Sequence, residues 1–168
     1  MGTVIYFKIL FLLNPSNVHI EVLGAAQPIP YELLELADPS KTHIEAYLKN
    51  GTCYLAKIGK ETIGVMVLLE LDATNIELKN IALMPSLQGK GYGKALLGHA
   101  INVSRVLGYH KLTVGTGNSS IGQLAFYQKS GFEIQHIIKN YFVDHYPEPI
   151  FEDGIQCKHM VVLEKRLS

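Results

Sequence analysis

The sequence has few cysteines and no excess of charge of either sign. Its two cysteines, Cys53 and Cys157, lie too far apart for a paired metal motif and are too few for a disulfide framework. We expect them to be small buried side chains in a reducing compartment. Fifteen Lys and Arg residues balance fifteen Asp and Glu residues. Binding to nucleic acid through bulk charge is therefore not expected.

Long apolar runs are also missing, apart from one at the N-terminus. Residues 3–13 (TVIYFKILFLL) are nearly all apolar, with Lys8 as an interruption. The run is too short for a membrane-spanning helix, which needs about 20 residues. It also lacks the basic start and the small-residue cleavage site of a secretory signal. We therefore predict that residues 1–15 form an extra strand or an extension, that no membrane is involved, and that the protein is cytoplasmic.

What the sequence does contain is a large apolar fraction, arranged in alternating strand and helix patterns. Apolar residues make up 48% of the chain and charged residues 18%, which predicts one packed domain over residues 16–168. Strand patterns occupy residues 18–23, 53–58, 63–71, 75–83, 111–114, 132–143 and 156–167. Helix patterns occupy residues 31–37, 40–50, 90–107 and 118–130. This order predicts a mixed α/β domain.

The chemically informative stretch is LMPSLQGKGYGK, residues 83–94. An apolar strand runs into a loop with three glycines, and the loop leads directly into a long helix. Glycines let backbone N–H groups turn toward a ligand, while a helix start adds unpaired N–H donors and a partial positive charge. The stretch therefore predicts a cradle for a diphosphate. Lys90 and Lys94 would add positive charge at its rim.

Two other phosphate-binding patterns do not fit this stretch. A P-loop needs Ser or Thr after its Gly-Lys pair, but Ala95 follows Gly93 and Lys94. The dinucleotide fingerprint would need glycine at position 94 or 96, where the sequence has Lys94 and Leu96. A mononucleotide-binding protein is accordingly the weakest of the hypotheses that we consider.

The spacing Gln88-x-x-Gly91-x-Gly93, after an apolar strand and a proline, resembles the diphosphate-binding motif of the GCN5-related N-acetyltransferase (GNAT) superfamily. The resemblance implies a mixed, mostly antiparallel central sheet with helices on both faces and a splay between the fourth and fifth strands. It covers roughly residues 53–142, more than half of the chain.

A second match lies about 30 residues further along the chain. Asn118 is followed by Tyr127-x-x-x-Gly131-Phe132, which is similar to the superfamily pattern of an Asn after the fifth strand and then A-x-x-x-Y-x-x-x-G-F. The alanine here is Ala125, so the spacing before the tyrosine is compressed. The match implies that Tyr127 is the general acid toward the leaving thiolate, although a tyrosine on a helix can also be a packing residue.

The resemblance implies acetyl-CoA as co-substrate and no metal, and the histidine spacing matches no metal site. Backbone groups of Ile81, Ala82 and Leu83 would bind the pantetheine arm, with the Ile81 N–H facing the thioester oxygen. The diphosphate would be bound by Gln88, Gly89, Lys90, Gly91, Tyr92, Gly93 and Lys94. Asn118 would contact the pantetheine arm or cap the next helix.

The general base is the least defined of these roles. Glu77 lies eleven residues before Gln88, at the start of the same strand, where several superfamily members have a glutamate that deprotonates the amine. Glu70 and Asp72 are rival carboxylates from the preceding segment. Attack by an amine that is already neutral, without any protein base, is a further alternative.

These observations favour an N-acetyltransferase that moves the acetyl group of acetyl-CoA to a primary amine by direct attack in a ternary complex. The acidic and aromatic segment 144–153 would suit a cationic acceptor, such as a small amine, an aminoglycoside-like compound or a protein amine. A homodimer is also expected, because the apolar N-terminal stretch and the final strands could pair with a second chain. The alternative function is a non-catalytic acyl-CoA sensor or assembly module.

Overall fold

The computed structural model describes residues 17–167, so the extra strand or extension predicted at residues 1–15 lies outside the described residues. The described chain divides into two compact units. The first consists of residues 17–69 and 80–102, and the second of residues 70–79 and 103–167. The strand at residues 75–83 and the helix at residues 92–106 contribute to both units.

The secondary structure combines sheet strands with helices. The strands are β1 (His19–Val22), β2 (Thr52–Ile58), β3 (Glu61–Glu70), β4 (Asn75–Leu83), β5 (Lys111–Gly117), β6 (Glu133–Ile138), β7 (Ile150–Glu152), β8 (Ile155–Cys157) and β9 (Met160–Arg166). The helices are α1 (Tyr31–Leu34), α2 (Lys41–Leu48), α3 (Tyr92–Val106), α4 (Ile121–Lys129) and α5 (Tyr141–His145), with a 3-10 turn at Pro85–Leu87.

Seven strands share one sheet, in the hydrogen-bonded order β1-β2-β3-β4-β5-β9-β6, while β7 and β8 form a separate pair. The β4–β5 ladder is parallel, and the ladders β1–β2, β2–β3, β5–β9 and β6–β9 are antiparallel. The prediction of a mixed α/β fold with a mostly antiparallel sheet is therefore confirmed. The parallel ladder ends at Glu77, before the end of either strand, as the expected splay requires.

In the first unit, helices pack against both faces of β2, because successive side chains along a strand point to opposite faces. Cys53 and Leu55 point to one face, where they join the buried cluster that includes Leu34 of α1 and Ile44 of α2. Tyr54, between them, points to the other face. Its ring packs edge-on against His99 of α3, with 5.8 Å between the ring centroids. Both faces are thus covered by helices.

A buried polar side chain connects β4 to the two short helices of the first unit. Asn80 is 3% exposed. Its Nδ2 donates to the carbonyl oxygen of Leu34 at 3.0 Å and to the hydroxyl oxygen of Tyr47 at 2.9 Å. Because an amide buried without partners is costly, these bonds fix the position of β4 relative to α1 and α2, close to Ile81.

The second unit is built around β5. Its residues Lys111–Thr113 pair with Asn75–Glu77 of β4, and the whole strand pairs with β9. Leu112, Val114 and Leu163 are buried there. Arg105, in the last turn of α3, donates from Nε to the carbonyl oxygen of Leu167 at 2.9 Å.

The structure corrects the predicted final strands, which were expected at residues 132–143 and 156–167. Strand β6 ends at Ile138, because Asn140 adopts a left-handed conformation (φ 58°) and the short helix α5 follows. The segment predicted to be a loop contains the hairpin β7–β8. Asp153 (φ 51°) and Gly154 (φ 76°) make its two-residue turn, which suits the twist of antiparallel strands. Residues 156 and 157 therefore belong to this hairpin, and β9 begins at Met160.

Helix boundaries differ more modestly from the predicted ones. Helix α3 begins at Tyr92 rather than at residue 90, because Gly91 has φ 89° and cannot continue a helix. Helix α2 begins as predicted after Ser40, whose Oγ accepts a hydrogen bond from the His43 N–H at 3.3 Å. Within residues 17–167, no helix is long and apolar enough to cross a membrane.

Candidate functional site

The glycine-rich turn of the first unit is held at its two ends and exposed in its middle. Leu87 and Tyr92 are buried, with 9% and 2% of their surface exposed, and they anchor the turn. Gln88, Gly89, Lys90 and Gly91 between them are exposed. Gly89 and Gly91 have φ values of 71° and 89°, in the region that favours glycine. The backbone of the turn is thus accessible between two buried flanking residues.

Helix α3 starts inside this turn and directs its first N–H groups outward. The first intrahelical bond runs from the Ala95 N–H to the carbonyl oxygen of Gly91 at 3.1 Å. The N–H groups of Tyr92, Gly93 and Lys94 precede that bond, so they face away from the helix body. Together with the partial positive charge of the helix start and the nearby lysines, they make a site with the donor set of a diphosphate cradle.

The last residues of β4 lead into this turn and are fixed by close packing. A Cβ at Gly64 of β3 would lie 2.6 Å from Leu83 Cδ2 and 2.8 Å from the carbonyl oxygen of Ala82. The Met84 N–H donates to the carbonyl oxygen of Ile63 at 2.9 Å. The structure therefore brings Ile81, Ala82 and Leu83 together with Gln88–Lys94 in the first unit.

Glu77, the candidate base, belongs to the second unit. It pairs with Thr113 of β5, and its Oε1 lies 3.2 Å from Lys79 Nζ. Residues two apart on a strand share a face, which explains this ion pair. Glu77 precedes Ile81 by four residues, about 13 Å along an extended strand. A catalytic role for Glu77 stays a prediction, and this spacing and the ion pair weigh against it.

Tyr127, the candidate acid, lies on α4 in the second unit. It is 5% exposed, and its ring packs against Phe126 and Phe132 at centroid distances of 5.4 and 5.7 Å. Burial raises the pKa of the Tyr127 phenol, because the phenolate would be desolvated. The phenol is therefore protonated at neutral pH, the state that a proton donor needs.

Asn118 also lies in the second unit, and its carboxamide bonds to the backbone of β8 and of the segment that connects β8 to β9. Its Oδ1 accepts from the N–H groups of Lys158 and His159 at 2.7 and 2.8 Å. Its Nδ2 donates to the carbonyl oxygen of Gln156 at 3.1 Å. These bonds do not reach the first turn of α4, which begins at Ile121. Contact with the pantetheine arm stays a prediction.

Nothing in the sequence indicated a hydrogen-bonded group beside Asn118, which consists of Ser119, Ser120 and the carboxylate of Glu152. Glu152 Oε2 accepts from Ser119 Oγ at 2.8 Å and from Ser120 Oγ at 2.6 Å. The partners are more than 30 positions apart in the chain, so no local spacing could have revealed them. In the described part of the chain, no group of three or more His, Cys, Asp or Glu side chains is arranged to hold a metal ion.

Taken together, these features define a class of protein. A mixed α/β sheet whose fourth strand runs through a glycine-rich turn into a helix start is typical of an enzyme that binds a coenzyme diphosphate at backbone N–H groups.

Comparisons with known proteins narrow this class. The family model described as "Acetyltransferase (GNAT) family" matches residues 21–132. The chain is 48% identical over 151 residues to the uncharacterized N-acetyltransferase YvbK of Bacillus subtilis, covering 90% of this chain and 97% of that protein.

Two solved structures are similar over nearly the same span. A GNAT family acetyltransferase from Elizabethkingia anophelis, with acetyl-CoA bound, is 49% identical with a TM-score of 0.88, over 89% of this chain and 98% of that one. An IAA acetyltransferase from Bacillus cereus is 49% identical with a TM-score of 0.85, and the match covers 89% of this chain and 99% of that one.

The chain therefore belongs to the GNAT acetyltransferase family, which confirms the resemblance drawn from residues 88–93 and 118–132. It is an acetyl-CoA-dependent N-acetyltransferase.

Proposed function

We propose that the protein transfers the acetyl group of acetyl-CoA to a primary amine by direct attack in a ternary complex. The exposed turn with Gly89 and Gly91 in left-handed conformations, at the start of α3, is the observation that supports this most strongly. The acetyl-CoA bound in the Elizabethkingia relative supports the same donor here.

In this proposal the diphosphate is held at the turn by backbone groups. Gln88, Gly89, Lys90, Gly91, Tyr92, Gly93 and Lys94 form the binding segment. The free N–H groups at the start of α3 donate to the phosphate oxygens, and the side chains of Lys90 and Lys94 add charge at an exposed rim. The missing Cβ at Gly91 lets the anion approach the backbone.

The pantetheine arm follows β4 along the backbone of Ile81, Ala82 and Leu83. These side chains serve only as apolar packing, so the binding is carried by N–H and C=O groups. The Ile81 N–H donates to the thioester oxygen as negative charge develops on it during attack. A donor placed in this way contributes about 2–4 kcal/mol to transition-state stabilisation. Asn80, fixed by Leu34 and Tyr47, keeps this part of β4 in place.

The chemical step joins the amine nitrogen to the acetyl carbon and breaks the carbon–sulfur bond. Tyr127 supplies a proton to the departing sulfur, because its phenol is protonated at neutral pH. The attacking nitrogen releases one proton to water as the amide forms, and Tyr127 regains a proton from solvent, so the products are the N-acetyl amine and free coenzyme A. Because Glu77 is paired with Lys79 and lies about 13 Å before Ile81 along the strand, we favour an amine that is neutral on arrival over deprotonation by Glu77.

The decisive experiment is an acetylation screen over a panel of primary amines, with release of free thiol as the readout. We expect thiol release that depends on both acetyl-CoA and the amine, and an N-acetyl product identified by mass spectrometry. Acetyl-CoA binding by calorimetry without thiol release for any amine would instead favour the non-catalytic acyl-CoA sensor.

A homodimer is part of the proposal and is supported by strand β6. This strand is the last in the sheet order, and all six of its residues are exposed. Ile134, Ile137 and Ile138 are 40–56% exposed, and an apolar edge strand favours pairing with another chain. Light scattering after size exclusion is expected to give twice the mass of the chain, and Ile137→Lys is expected to return it to a monomer. A monomeric parent protein would contradict this expectation.

We also propose a cytoplasmic location. Cys53 and Cys157 are both buried free thiols, as suits a reducing compartment. Fractionation of cells that express the tagged protein tests this location.

A further inference from the structure

Past Glu77, strand β4 is held by a backbone ladder on one edge only. The parallel ladder to β5 ends at Glu77, while β3 is the neighbour on the other edge. Ile81, whose N–H is the proposed donor to the thioester oxygen, lies four residues past that end. Because ladder hydrogen bonds fix a strand only on its paired side, the position of Ile81 depends on further contacts of β4.

The Asn80 side chain provides such a contact from one face of the strand. Its Nδ2 donates to the carbonyl oxygen of Leu34, the last residue of α1, at 3.0 Å, and to the hydroxyl oxygen of Tyr47 on α2 at 2.9 Å. A backbone carbonyl oxygen can only accept, so the amide nitrogen must face Leu34 and the orientation of the carboxamide is defined. Both bonds are buried. The carboxamide therefore ties β4 to two helices at one point.

The anchored residue and the proposed donor share one peptide group. The Ile81 N–H belongs to the peptide unit that begins at the carbonyl carbon of Asn80, and a peptide unit is planar. A shift or rotation of Asn80 therefore changes the direction of the Ile81 N–H. On the far side, the Met84 N–H is bonded to the carbonyl oxygen of Ile63 at 2.9 Å. The peptide group thus lies between two fixed points of β4.

The carboxamide of Asn80 is not explained by stability alone. Its Oδ1 is buried and accepts no hydrogen bond from any residue in the described part of the chain, which costs free energy. The Leu34 carbonyl oxygen also accepts from the N–H groups of Ala37 and Asp38, at 3.2 and 3.1 Å, so it would stay bonded without Asn80. An apolar side chain of the same size would therefore serve the packing of the fold about as well.

We propose that Asn80 is a positioning residue for acetyl transfer, which keeps the Ile81 N–H directed at the thioester oxygen through its bonds to Leu34 and Tyr47. The proposal rests on the acetyl transfer and on the role of Ile81 proposed above. Asn80 acts through the peptide group that it shares with Ile81, and it does not touch the reacting atoms. Since an oxyanion donor is effective only within hydrogen-bond distance of the developing charge, a small displacement of β4 is enough to lower the rate.

The double variant Asn80→Leu/Tyr47→Phe separates positioning from stability. It removes both polar partners together and leaves apolar side chains of similar size, a change that is nearly neutral for folding. We expect a melting temperature within about 4 °C of that of the parent protein. With an amine found in the acetylation screen, kcat per active site should fall about ten- to a hundredfold, as for a misplacement on the order of 1 Å. The KM for acetyl-CoA should change less than about twofold, because the proposed cradle at residues 88–94 does not include Asn80.

Infrared spectroscopy tests the same role without turnover, on bound acetyl-CoA that carries an isotope label at the thioester carbonyl. A hydrogen bond to a carbonyl oxygen lowers the stretching frequency of the carbonyl group. The thioester band should therefore lie at a higher frequency in the double variant than in the parent protein. Tyr47→Phe alone keeps the bond to Leu34 and should shift the band in the same direction by less. Calorimetry with acetyl-CoA counts the active sites of each variant.

Leu55→Val is the matched control. Leu55 lies on β2 in the same buried cluster and is 4% exposed, so loss of one methylene lowers the melting temperature while the bonds of Asn80 remain. We expect unchanged kcat per active site and an unchanged thioester band. This control shows whether a loss of core packing by itself moves either quantity.

The positioning role would be overturned by a double variant with the kcat per active site or the thioester band of the parent protein. If the double variant does not fold, Tyr47→Phe decides the question, and a band at the parent position would then contradict the proposal. Failure of the parent protein to acetylate any amine would reject the proposed function, whereas the band of bound acetyl-CoA would still decide the role of Asn80.

Discussion

Replacing Gly91 with valine is expected to weaken acetyl-CoA binding by more than about a hundredfold. Gly91 has φ 89°, a conformation that is strained for any L-residue and most of all for a β-branched one. The chain can respond by changing φ, which turns the N–H groups away from the diphosphate, or by keeping φ, which puts a side chain in the cradle. Either response removes several charge-assisted hydrogen bonds, each contributing about 1.5–3 kcal/mol. Titration calorimetry with acetyl-CoA measures the effect.

Gly59→Val is the matched control for this change. Gly59 also has positive φ, 61°, and no atom lies within 4 Å of the place where its Cβ would be. Its substitution brings the same kind of backbone strain, of about 1–2 kcal/mol, at a turn between β2 and β3. We expect a lower melting temperature and unchanged acetyl-CoA affinity. If Gly91→Val bound acetyl-CoA within threefold of the parent protein, the cradle would have been assigned to the wrong segment.

Replacing Tyr127 with phenylalanine is expected to lower kcat by about 10²-fold or more, the usual contribution of a positioned proton donor. The phenyl ring keeps the contacts with Phe126 and Phe132, so the free energy of unfolding should change by less than about 1 kcal/mol. The KM for acetyl-CoA should stay within about twofold, because the proposed diphosphate cradle at residues 88–94 does not include Tyr127. Rates at saturating acetyl-CoA measure the effect.

The pH dependence of the reaction rate is a second measurement of the role of Tyr127. Burial raises the pKa of its phenol, so the parent enzyme should show no loss of rate from this group below about pH 10, the ordinary pKa of tyrosine. Tyr31→Phe, at a ring that Lys41 contacts on the first unit, is the control and should retain full activity. An unaltered kcat in Tyr127→Phe would leave the phenol as a packing residue.

The parts of the fold that local patterns encode could be predicted from the sequence. The strand patterns predicted at residues 53–58 and 63–71 correspond to β2 and β3, which are joined by a short turn at Gly59 and Lys60. The Gln88-x-x-Gly91-x-Gly93 spacing pointed to a helix start with an exposed turn, and the left-handed conformations of Gly89 and Gly91 agree with it. These features arise from contacts between residues close in sequence, so their spacing is informative.

The region after β6 was predicted less well, for two physical reasons. Helix α5 has five residues and the strands β7 and β8 have three each, too short for a periodic pattern to be recognised. The Asp153-Gly154 pair is a hairpin signal, but the surrounding prolines and acidic residues suggested an irregular loop. The hydrogen bond from Ser120 to Glu152 depends on tertiary packing, since the two residues are 32 positions apart.

The site residues differ in how well the sequence predicts their surroundings. The proposed roles of Gly91 and of the start of α3 depend on backbone conformation, which a motif can encode. The surroundings of Glu77 do not, because its ion pair with Lys79 and its pairing with Thr113 became visible only in the folded sheet.

The two-residue turn at Asp153 and Gly154 is a suitable position for engineered substitutions and insertions. Both residues are exposed, and the strands on either side end in the anchored residues Glu152 and Cys157. Longer or chemically different tips could therefore be grafted at this position without disturbing the rest of the enzyme. Libraries randomised only at the tip, assayed over a panel of amines, would then measure whether this hairpin takes part in the choice of acceptor.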